Sequence, residues 1–548
     1  MKRTIKLLAV AVLGIAFASC SSLKKMEEMA ENVLVTCDPA VLEVVGGSID
    51  AIVTVTYPAD YFNPKAVLEV TPVIVYDGGE VAIKPLMYQG EKVKDNYRVV
   101  SSDGQTVSER LHFNYLEGME NAHLELRAIA RNEKETQSAI LPTKKIADGC
   151  NTTYMLASLD GYISYKADNY QDVIPQSAEG QILYAVNSAD VANKELNSKS
   201  IKDFQAALDA LKANERVTVK GTEVVAYASP EGGKDLNAKL SDRRSQSAEK
   251  AWNKVMKGRD INAPEVSSKG QDWEGFQELV ANSNIEDKNL ILSVLSMYSD
   301  PAVRESEIKN MSEVFTELKS TVLPELRRAR LIANVEYQNY TADELLKLID
   351  DNIDVLDEEA LLRAASLVSD VNKKVKVLEK AVDKYNSDRA QFNIGVAYLM
   401  DDKTERASKA FAKVKTKDGD LENALGIIDL RNGELASAQR HFKASDAAEA
   451  KANQGVVDIL AGNYEKAAQE LEDAPGCCHN TVLAYILTDQ LAKAEKAAKC
   501  EKDSVKYLKA IIAARRGQAA EVKSLLGNIK DGNLLNRAAR DIEFADYR

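Results

Sequence analysis

Residues 228–252 read ASPEGGKDLNAKLSDRRSQSAEKAW, and they decide how the middle of the chain folds. Ser229, Pro230 and two glycines are turn-forming residues, so they predict a loop between two regular elements. The residues after the loop predict a helix, and VTVKGTEVVAYAS before it predicts a strand. Working outward gives the order β-α-β-α with further strands after it. A strand followed by a polar turn is predicted at 181–191, further strands are predicted at 217–229, 264–269 and 327–337, and the predicted helices are 200–217 and 236–258.

Seven positions in and around this loop carry a family pattern. They are Tyr227, Gly233, Asn237, Leu240, Ser241, Arg243 and Arg244. Together with the element order, they resemble the opening of the OmpA-like peptidoglycan-binding domain. The arginine-led strand that starts at Arg327 resembles the final strand of that family. The resemblance covers residues 181–338 and implies an α/β domain in which about 270–326 form a helical insertion.

The resemblance also implies a ligand site. In that family a loop aspartate and a helix arginine grip the diaminopimelate end of the stem peptide, because the two charges pair with its ammonium and carboxylate. Arg244 falls on the family arginine and Asn237 on its helix-start asparagine. Ser229 stands where the family has the aspartate, so Glu231 or Asp235 would have to supply the carboxylate. Peptidoglycan is the expected ligand of this site. The alternative is that Arg244 belongs to a solvated helix face.

The first twenty residues, MKRTIKLLAVAVLGIAFASC, have the pattern of an export signal. A basic start precedes an apolar run that is too short to remain as a membrane span. The small residues before Cys20 resemble a bacterial lipobox, which implies a signal peptide at 1–19 and a lipidated tether at 20–32. The alternative is an ordinary signal peptide that contains a cysteine. Since Bacteroidota lipoproteins displayed at the surface carry an acidic cluster after this cysteine and lysines come first here, we expect the periplasmic face of the outer membrane.

Residues 33–150 predict a β-rich domain. IDAIVTVTY at 49–57 alternates apolar and polar residues, as a half-buried strand does, and AVLEVTPVIVY at 66–76 is rich in β-branched residues. About six to eight such strands, separated by glycine turns, predict an all-β sandwich that is immunoglobulin-like in a loose sense. A connector is expected at 151–180.

The cysteines suggest disulfides rather than a metal centre. Cys37 and Cys150 bracket the β-rich domain, and exported chains form disulfides, so a bridge between these two is predicted. The motif Cys-Cys-His at 477–479 and Cys500 lie in the C-terminal half. Their spacing matches no standard zinc knuckle, and adjacent cysteines chelate one metal poorly. A disulfide or free thiols are expected there, and no metal site.

Residues 340–545 are helix-forming and repeat. Each of three segments has a glycine in its first helix, an alanine twelve residues later, and a phenylalanine or leucine four residues after that. The aligned positions are Gly395, Gly426 and Gly455; Ala407, Ala438 and Ala467; and Phe411, Phe442 and Leu471. The pattern is similar to the tetratricopeptide repeat, whose usual period is about 34 residues. The resemblance implies an α-solenoid whose groove binds a protein partner. The alternative is a solenoid that only spaces or rigidifies.

Composition and motifs exclude several functions. The net charge of -13 argues against nucleic acid as the partner, because phosphate binding needs a basic surface. No Ser-His-Asp set, HExxH motif, Walker A loop or strand-linked GxGxxG occurs in the sequence. We therefore expect no enzyme activity and no cofactor, apart from the covalent lipid on Cys20.

Two functions fit this multidomain organisation. The first is a lipid-anchored, non-enzymatic scaffold that contacts peptidoglycan through the OmpA-like domain and recruits proteins through the repeats. The second is an accessory lipoprotein subunit of an outer-membrane assembly, secretion or fimbrial machine. In that case the OmpA-like domain no longer binds peptidoglycan, as the serine at position 229 allows.

Overall fold

The computed structural model describes most of the chain. The described residues are 21–285, 287–476 and 478–548. The predicted signal peptide at 1–19 and the predicted lipidation site Cys20 lie outside the described residues, as does Cys477. Among the described residues, no helix has both the length and the apolar composition needed to cross a bilayer.

Two compact units make up the structure. The first contains the described residues up to Lys166 together with Leu378–Arg548, and the second is Ala167–Val377. The second unit is thus inserted into the sequence of the first. The β-rich region and most of the repeat region, which the sequence predicts as separate domains, belong to one unit.

The residues after the predicted lipidation site form a helix rather than a tether. Helix α1 spans Ser21–Glu28, and a 3-10 turn follows at Ala30–Asn32. Leu23 and Met26 are buried against neighbouring strands, because these apolar residues recur at helical spacing. The prediction of a tether at 20–32 is therefore wrong for its described part, which is packed into the first unit.

Eleven strands form the β-rich region, more than the sequence predicted. They are β1 Leu34–Asp38, β2 Val41–Val45, β3 Ser48–Tyr57, β4 Ala66–Tyr76, β5 Gly79–Ala82, β6 Leu86–Gly90, β7 Arg98–Val100, β8 Gln105–Asn114, β9 His123–Asn132, β10 Ser138–Ile140 and β11 Lys144–Asn151. β3 pairs with β1 and β8, whereas β9 pairs with β4 and β11. β2 pairs with both β3 and β11 and joins these two groups. Both groups contribute alternate side chains to one hydrophobic cluster.

Cys37 in β1 and Cys150 in β11 are free thiols, so the predicted disulfide between them is wrong. A disulfide needs the two Cβ atoms within about 4.5 Å and correctly oriented, which bracketing a domain in sequence does not ensure. Cys37 lies opposite Val53 of β3, whereas β11 belongs to the other strand group. Burial raises the pKa of the Cys37 thiol to about 11 and that of Cys150 to about 12. Both thiols therefore stay protonated and unreactive at neutral pH.

A four-stranded sheet with two helices forms the centre of the second unit. Its elements are β12 Val173–Leu183, α2 Lys199–Lys212, β13 Val217–Ala228, α3 Lys234–Val255, β14 Glu265–Gln271 and β15 Arg328–Gln338. The strand order is β12-β15-β13-β14, with β14 parallel to β13 and the other pairs antiparallel. β12 begins earlier than the predicted strand at 181–191, because it pairs with β15 along its whole length. Phe204 of α2 and Trp252 of α3 pack against the buried side of the sheet.

The stretch between β14 and β15 is helical, as expected, and has its own core. Its helices are α4 Trp273–Ala281, α5 Lys288–Met297, α6 Pro301–Asn310 and α7 Ser312–Thr321. Phe276, Ile291 and Leu318 belong to a hydrophobic cluster separate from that of the sheet. After β15 come α8 Ala342–Asp351, α9 Glu358–Leu367 and α10 Val371–Tyr385, and the boundary of the two units falls within α10.

The C-terminal helices pair into hairpins. They are α11 Asp388–Met400, α12 Thr404–Phe411, α13 Gly419–Arg431, α14 Leu435–Ala444, α15 Ala450–Leu460, α16 Tyr464–Glu470, α17 His479–Leu487, α18 Leu491–Ala497, α19 Asp503–Arg515, α20 Ala519–Gly527 and α21 Gly532–Ala538. Each odd-numbered helix from α11 to α19 packs against its successor. A Cβ on Gly395 would lie 2.4 Å from the Phe411 ring, and one on Gly426 would lie 2.5 Å from the Phe442 ring. The small residues therefore allow the close packing that the repeat pattern predicts.

Candidate functional site

Three of the four predicted ligand residues, Ser229 and Glu231 in the loop before α3 and Asn237 in the first turn of α3, take part in hydrogen bonds of this loop. Ser229 Oγ donates to Glu231 Oε1 at 2.9 Å. Asn237 Nδ2 donates to the carbonyl oxygens of Ser229, at 3.0 Å, and Gly232. Ser229 and Asn237 are buried. Asn237 thus fastens the loop to the start of the helix with both of its amide hydrogens.

The fourth residue, Arg244 of α3, is enclosed in the domain, with 1% of its surface exposed. Its guanidinium donates to the carbonyl oxygens of Tyr227 at 2.9 Å, Ser188 at 3.0 Å and Ala185 at 3.3 Å. It also lies 4.9 Å from the centre of the Tyr184 ring. Burial lowers the pKa of Arg244 to about 10, which leaves it charged at neutral pH. One side chain thus holds two backbone segments together.

Glu231 supplies a carboxylate near the site, but it faces an arginine of the same unit. Its Oε1 accepts a hydrogen bond from Arg327 Nε at 2.9 Å, and both side chains are mostly buried. The neighbouring Arg328 pairs with Asp272 at the same distance. The structure therefore brings the four predicted ligand residues close in the fold but satisfies them internally. Arg243, in contrast, is exposed on the solvent side of α3.

A second polar arrangement, which the sequence analysis missed, lies in the first unit. Asn393, Asn423, Asn453 and Asn480 lie in α11, α13, α15 and α17, the first helices of successive hairpins, and all four are buried. They form the asparagine row. Their side chains bind the backbone of Ser158–Lys166, the groove segment, which forms neither helix nor strand. The row thus supplies hydrogen-bonding partners that an irregular segment cannot supply itself.

The two ends of the groove segment are held alike. Asn480 Oδ1 accepts from the Ser158 amide at 2.8 Å, and its Nδ2 donates to the Ser158 carbonyl at 2.9 Å. Asn393 binds the amide and carbonyl of Lys166 in the same way, at 2.7 and 2.9 Å. A side-chain amide has one donor face and one acceptor face, so each asparagine is complementary to one backbone residue.

The middle of the groove segment is held by two asparagines. Asn453 Oδ1 accepts from the Tyr162 amide at 2.7 Å, and its Nδ2 donates to the Tyr162 carbonyl at 2.8 Å. Asn423 Nδ2 donates to the same carbonyl at 2.9 Å, and Asn453 Nδ2 also donates to Asn423 Oδ1 at 2.8 Å. The two asparagines and Tyr162 therefore form one connected network, the most elaborate contact of the row.

The groove segment runs in close contact with helix α13 at Gly161. Gly161 has a φ of +76°, and a Cβ there would lie 2.7 Å from Ile427 of α13. Arg431 of the same helix donates to the carbonyls of Leu159 at 3.3 Å and Asp160 at 2.8 Å. The segment therefore runs so close to α13 that only glycine fits at position 161 without a shift.

Lys166 is the charged anchor of the groove segment. Its ammonium pairs with Asp418 and, at 2.9 Å, with Asp420, and it lies 5.1 Å from the centre of the Phe392 ring. Burial by itself lowers the pKa of Lys166, but the bonds with the two carboxylates outweigh burial and raise it. The ammonium is thus held charged by an acidic pair next to an aromatic face.

A cavity of about 670 Å³ adjoins the groove segment beside α17 and α19. His479 lines it, and His479 Nε2 donates to the Leu156 carbonyl at 2.6 Å. Burial lowers the pKa of His479, so the imidazole is neutral at neutral pH. Cys478 is a free thiol, and the described residues contain no group of three or more side chains able to hold a metal ion. The histidine of the 477–479 motif thus contacts backbone.

One feature of the sequence points to the asparagine row. Asn393, Asn423 and Asn453 are spaced by thirty residues, and each is a polar residue on the buried side of a first helix, next to apolar residues. Aligning the repeats on these positions would have marked them as buried polar groups that need partners. The partner itself lies more than two hundred residues away, and no local pattern identifies it.

No protein-family model matches the chain, and no curated protein matches it. The matching solved structures include a tetratricopeptide repeat protein from Parabacteroides merdae, with 9% identity and a TM-score of 0.30 over 37% of this chain and 91% of that one. They also include PilF of Pseudomonas aeruginosa, with 13% identity and a TM-score of 0.28 over 38% and 99%. A third is the Cut9–Hcn1 hetero-tetramer of APC/C, with 12% identity and a TM-score of 0.30 over 63% and 80%. These matches are too distant to assign a function.

Proposed function

We propose that this chain is a lipid-anchored, non-enzymatic accessory scaffold of the outer membrane whose tetratricopeptide-like repeats hold extended protein segments. The asparagine row carries the proposal. Its side chains face the amide and carbonyl groups of an extended segment, so they bind peptide backbone. This is the chemistry of protein docking, because backbone groups are present in every partner.

For residues 181–338 we propose an OmpA-like module that does not bind peptidoglycan. The strand and helix order of this region supports the OmpA-like part of the proposal. The loss of ligand binding is supported by Arg244, whose guanidinium is already bonded to three carbonyls, and by Ser229, which carries no charge for an ammonium. Such a module would serve as a rigid protein-contact domain.

Sedimentation with purified sacculi tests this second proposal. We expect the intact chain to stay in the supernatant, while an OmpA-like domain with the family aspartate pellets under the same conditions. Pelleting of this chain, relieved by free diaminopimelate-containing peptide, would instead support the peptidoglycan-binding scaffold.

Metabolic labelling with a palmitate analogue tests the anchor. We expect the parent chain to be labelled and the Cys20→Ala variant to be unlabelled. Cys37→Ala is the matched control, because Cys37 is a half-buried thiol of the folded unit and should leave labelling unchanged. Equal labelling of all three chains would contradict lipidation at Cys20.

Crosslinking with mass spectrometry in intact cells tests protein docking. We expect crosslinked partner peptides at the first helices of the hairpins, and we expect them to be depleted in Asn453→Ala. Asn432→Ala is the control, because Asn432 is exposed at the end of α13 and no hydrogen bond of its side chain is seen. Partner peptides that persist unchanged in Asn453→Ala would place docking elsewhere.

A further inference from the structure

We propose that the groove segment is a resident ligand, and that a partner replaces it with an extended segment carrying a glycine and, five residues later, a lysine. The inference rests on the proposed docking function and names the kind of partner that the asparagine row takes. It follows from the contacts of the segment that occupies the row in this structure.

Most hydrogen bonds between the repeats and the groove segment go to its backbone. The four asparagines bind backbone groups of Ser158, Tyr162 and Lys166. Arg431 also meets the groove segment only at carbonyls, and its other donors go to Asp402 and Thr404 of the repeats. Any extended chain offers the same amides and carbonyls, so these contacts set the conformation of the ligand but not its sequence.

Glycine is selected at one place. The backbone at Gly161 has a positive φ, which is unfavourable for most residues. A side chain there would also meet Ile427, which is fully buried and cannot move away. A partner segment without glycine at this point therefore cannot approach α13 as closely as the groove segment does.

A long cation is selected five residues later. Asp418 and Asp420 face the Lys166 ammonium, and Phe392 offers it a ring face. An acidic residue at this point would meet two carboxylates at close range, and a short side chain would leave them unpaired. The acidic pair therefore prefers lysine in any replacing segment.

Tethering explains why the resident segment stays bound in the intact chain. A covalently linked ligand acts at an effective concentration of about millimolar or above, so a free peptide with the same contacts competes poorly. The row becomes accessible when the resident contacts are weakened and the row itself is kept. Lys166→Glu and Gly161→Ala do this at two independent positions.

The test uses the intact chain and a fluorescein-labelled synthetic peptide, ASLDGYISYKA, which has the sequence of residues 157–167. Fluorescence anisotropy measures its binding to the parent chain, to Lys166→Glu and to Gly161→Ala. We expect both variants to bind the peptide at least about tenfold more tightly than the parent. Two altered peptides, with the changes Gly161→Val and Lys166→Glu, should each bind these variants at least about tenfold more weakly.

The row is tested in the same assay by adding Asn453→Ala to the Lys166→Glu chain, which should abolish binding. The proposal is overturned if both opened chains, with parent-like circular dichroism, bind the altered peptides as well as the original or bind none of them. It is also overturned if the parent binds as tightly as the opened chains. If the peptides do not bind as expected while the cellular crosslinks still depend on Asn453, only the displacement of the groove segment is contradicted. If those crosslinks are also independent of Asn453, the docking function falls with it.

Discussion

Arg244 in the second unit and Asn453 in the first are both buried polar side chains that bind backbone, but they differ in what they hold. The carbonyls bound by Arg244 lie within sixty residues of it in sequence and belong to the same small domain. Tyr162, which Asn453 holds, is 291 residues away and lies in an irregular segment. Arg244 stabilises a fold that is complete around it, whereas Asn453 stabilises a contact between distant parts of the chain.

The difference shows how to distinguish a structural polar group from a docking group. A guanidinium has only donors, so Arg244 binds carbonyls of a strand and a loop that are fixed by other contacts. An asparagine offers a donor and an acceptor together, so it binds the amide and the carbonyl of one residue in an extended segment. These two hydrogen bonds do not involve that residue's side chain. The second kind of contact can be made by any extended chain, and the first cannot.

The largest expected effect separates the two arginines of α3. Arg244→Ala removes three hydrogen bonds to buried carbonyls and leaves a cavity, so we expect it to lower the free energy of unfolding of the second unit by about 4 kcal/mol. Tryptophan fluorescence during urea denaturation measures this unit alone, because both tryptophans, Trp252 and Trp273, lie in it. Arg243→Ala is the matched control and should change the value by less than about 0.5 kcal/mol, since Arg243 is exposed. Equal effects of both substitutions on the free energy of unfolding would show that the hydrogen bonds of Arg244 do not stabilise the second unit.

The next largest effect is expected in the asparagine row. Asn453→Ala leaves the amide of Tyr162 without its acceptor and Asn423 Oδ1 without its donor, so we expect a loss of about 3 kcal/mol in the first unit. Hydrogen exchange should rise in peptides that cover the groove segment, while tryptophan fluorescence should not change. The exposed Asn432 provides the control substitution, Asn432→Ala. Unchanged exchange in the groove segment would show that the row does not hold it.

A smaller effect tests whether the row depends on the spacing of the helices. Gly426→Ala puts a Cβ 2.5 Å from the Phe442 ring, so α13 must shift from α14, and we expect a cost of about 2 kcal/mol. Because α13 also carries Asn423, exchange at Tyr162 should rise as well. Gly527→Ala at the end of α20 is the control, since a Cβ there meets nothing within 4 Å. If Gly426→Ala changed neither the stability nor the exchange at Tyr162, the asparagine row would not depend on the packing of α13 against α14.

The smallest effect concerns a buried carboxyl that holds no backbone. Burial and the neighbouring Asp458 raise the pKa of Glu470 in α16 from 4.5 to about 7. Because the folded state binds this proton more tightly than the unfolded chain, its stabilising effect is full below about pH 4.5 and is lost as the pH rises through 7. We expect Glu470→Gln to be more stable than the parent at pH 8 by about 1 kcal/mol, and the advantage to vanish at pH 4. Thermal unfolding followed by circular dichroism at pH 8 and at pH 4 measures the stability difference between Glu470→Gln and the parent.

A gain of stability that is equal at both pH values would rule out proton linkage at Glu470. Asp458→Asn is a useful companion, since Asp458 is buried with Lys466 and Asn463 as partners and its pKa is lowered rather than raised. The opposite pH dependence is expected for that substitution.

Local sequence patterns predicted much of the fold, because helices, strands and hairpins are formed by residues that are close in sequence. The glycines at 395 and 426 and the phenylalanines sixteen residues later, which the repeat alignment singled out, face each other within their hairpins. The alternation along 49–57 matches the buried and exposed residues of β3. Helix α1 was missed because SSLKKMEEMAEN has few apolar residues, and only its packing on the strands shows that Leu23 and Met26 are enough.

The candidate sites were harder to predict, since they depend on contacts between distant residues. Ser229, Glu231, Asn237 and Arg244 do gather around one loop, but their bonding partners include Ser188 and Arg327, which no motif connects to them. The asparagine spacing was visible in the sequence, whereas the groove segment was not. Its residues fall in the predicted connector at 151–180, because an irregular segment has no periodicity that marks it in the sequence.

The insertion of the second unit into the first has a consequence for how the protein is made. The groove segment leaves the ribosome well before α11, and all of Ala167–Val377 is synthesised between them. A nascent chain, or one truncated ahead of Leu378, therefore carries Ser158–Lys166 with no asparagine to receive it. During that interval the segment is accessible to chaperones and proteases. It is shielded only after the C-terminal hairpins have been synthesised and have folded.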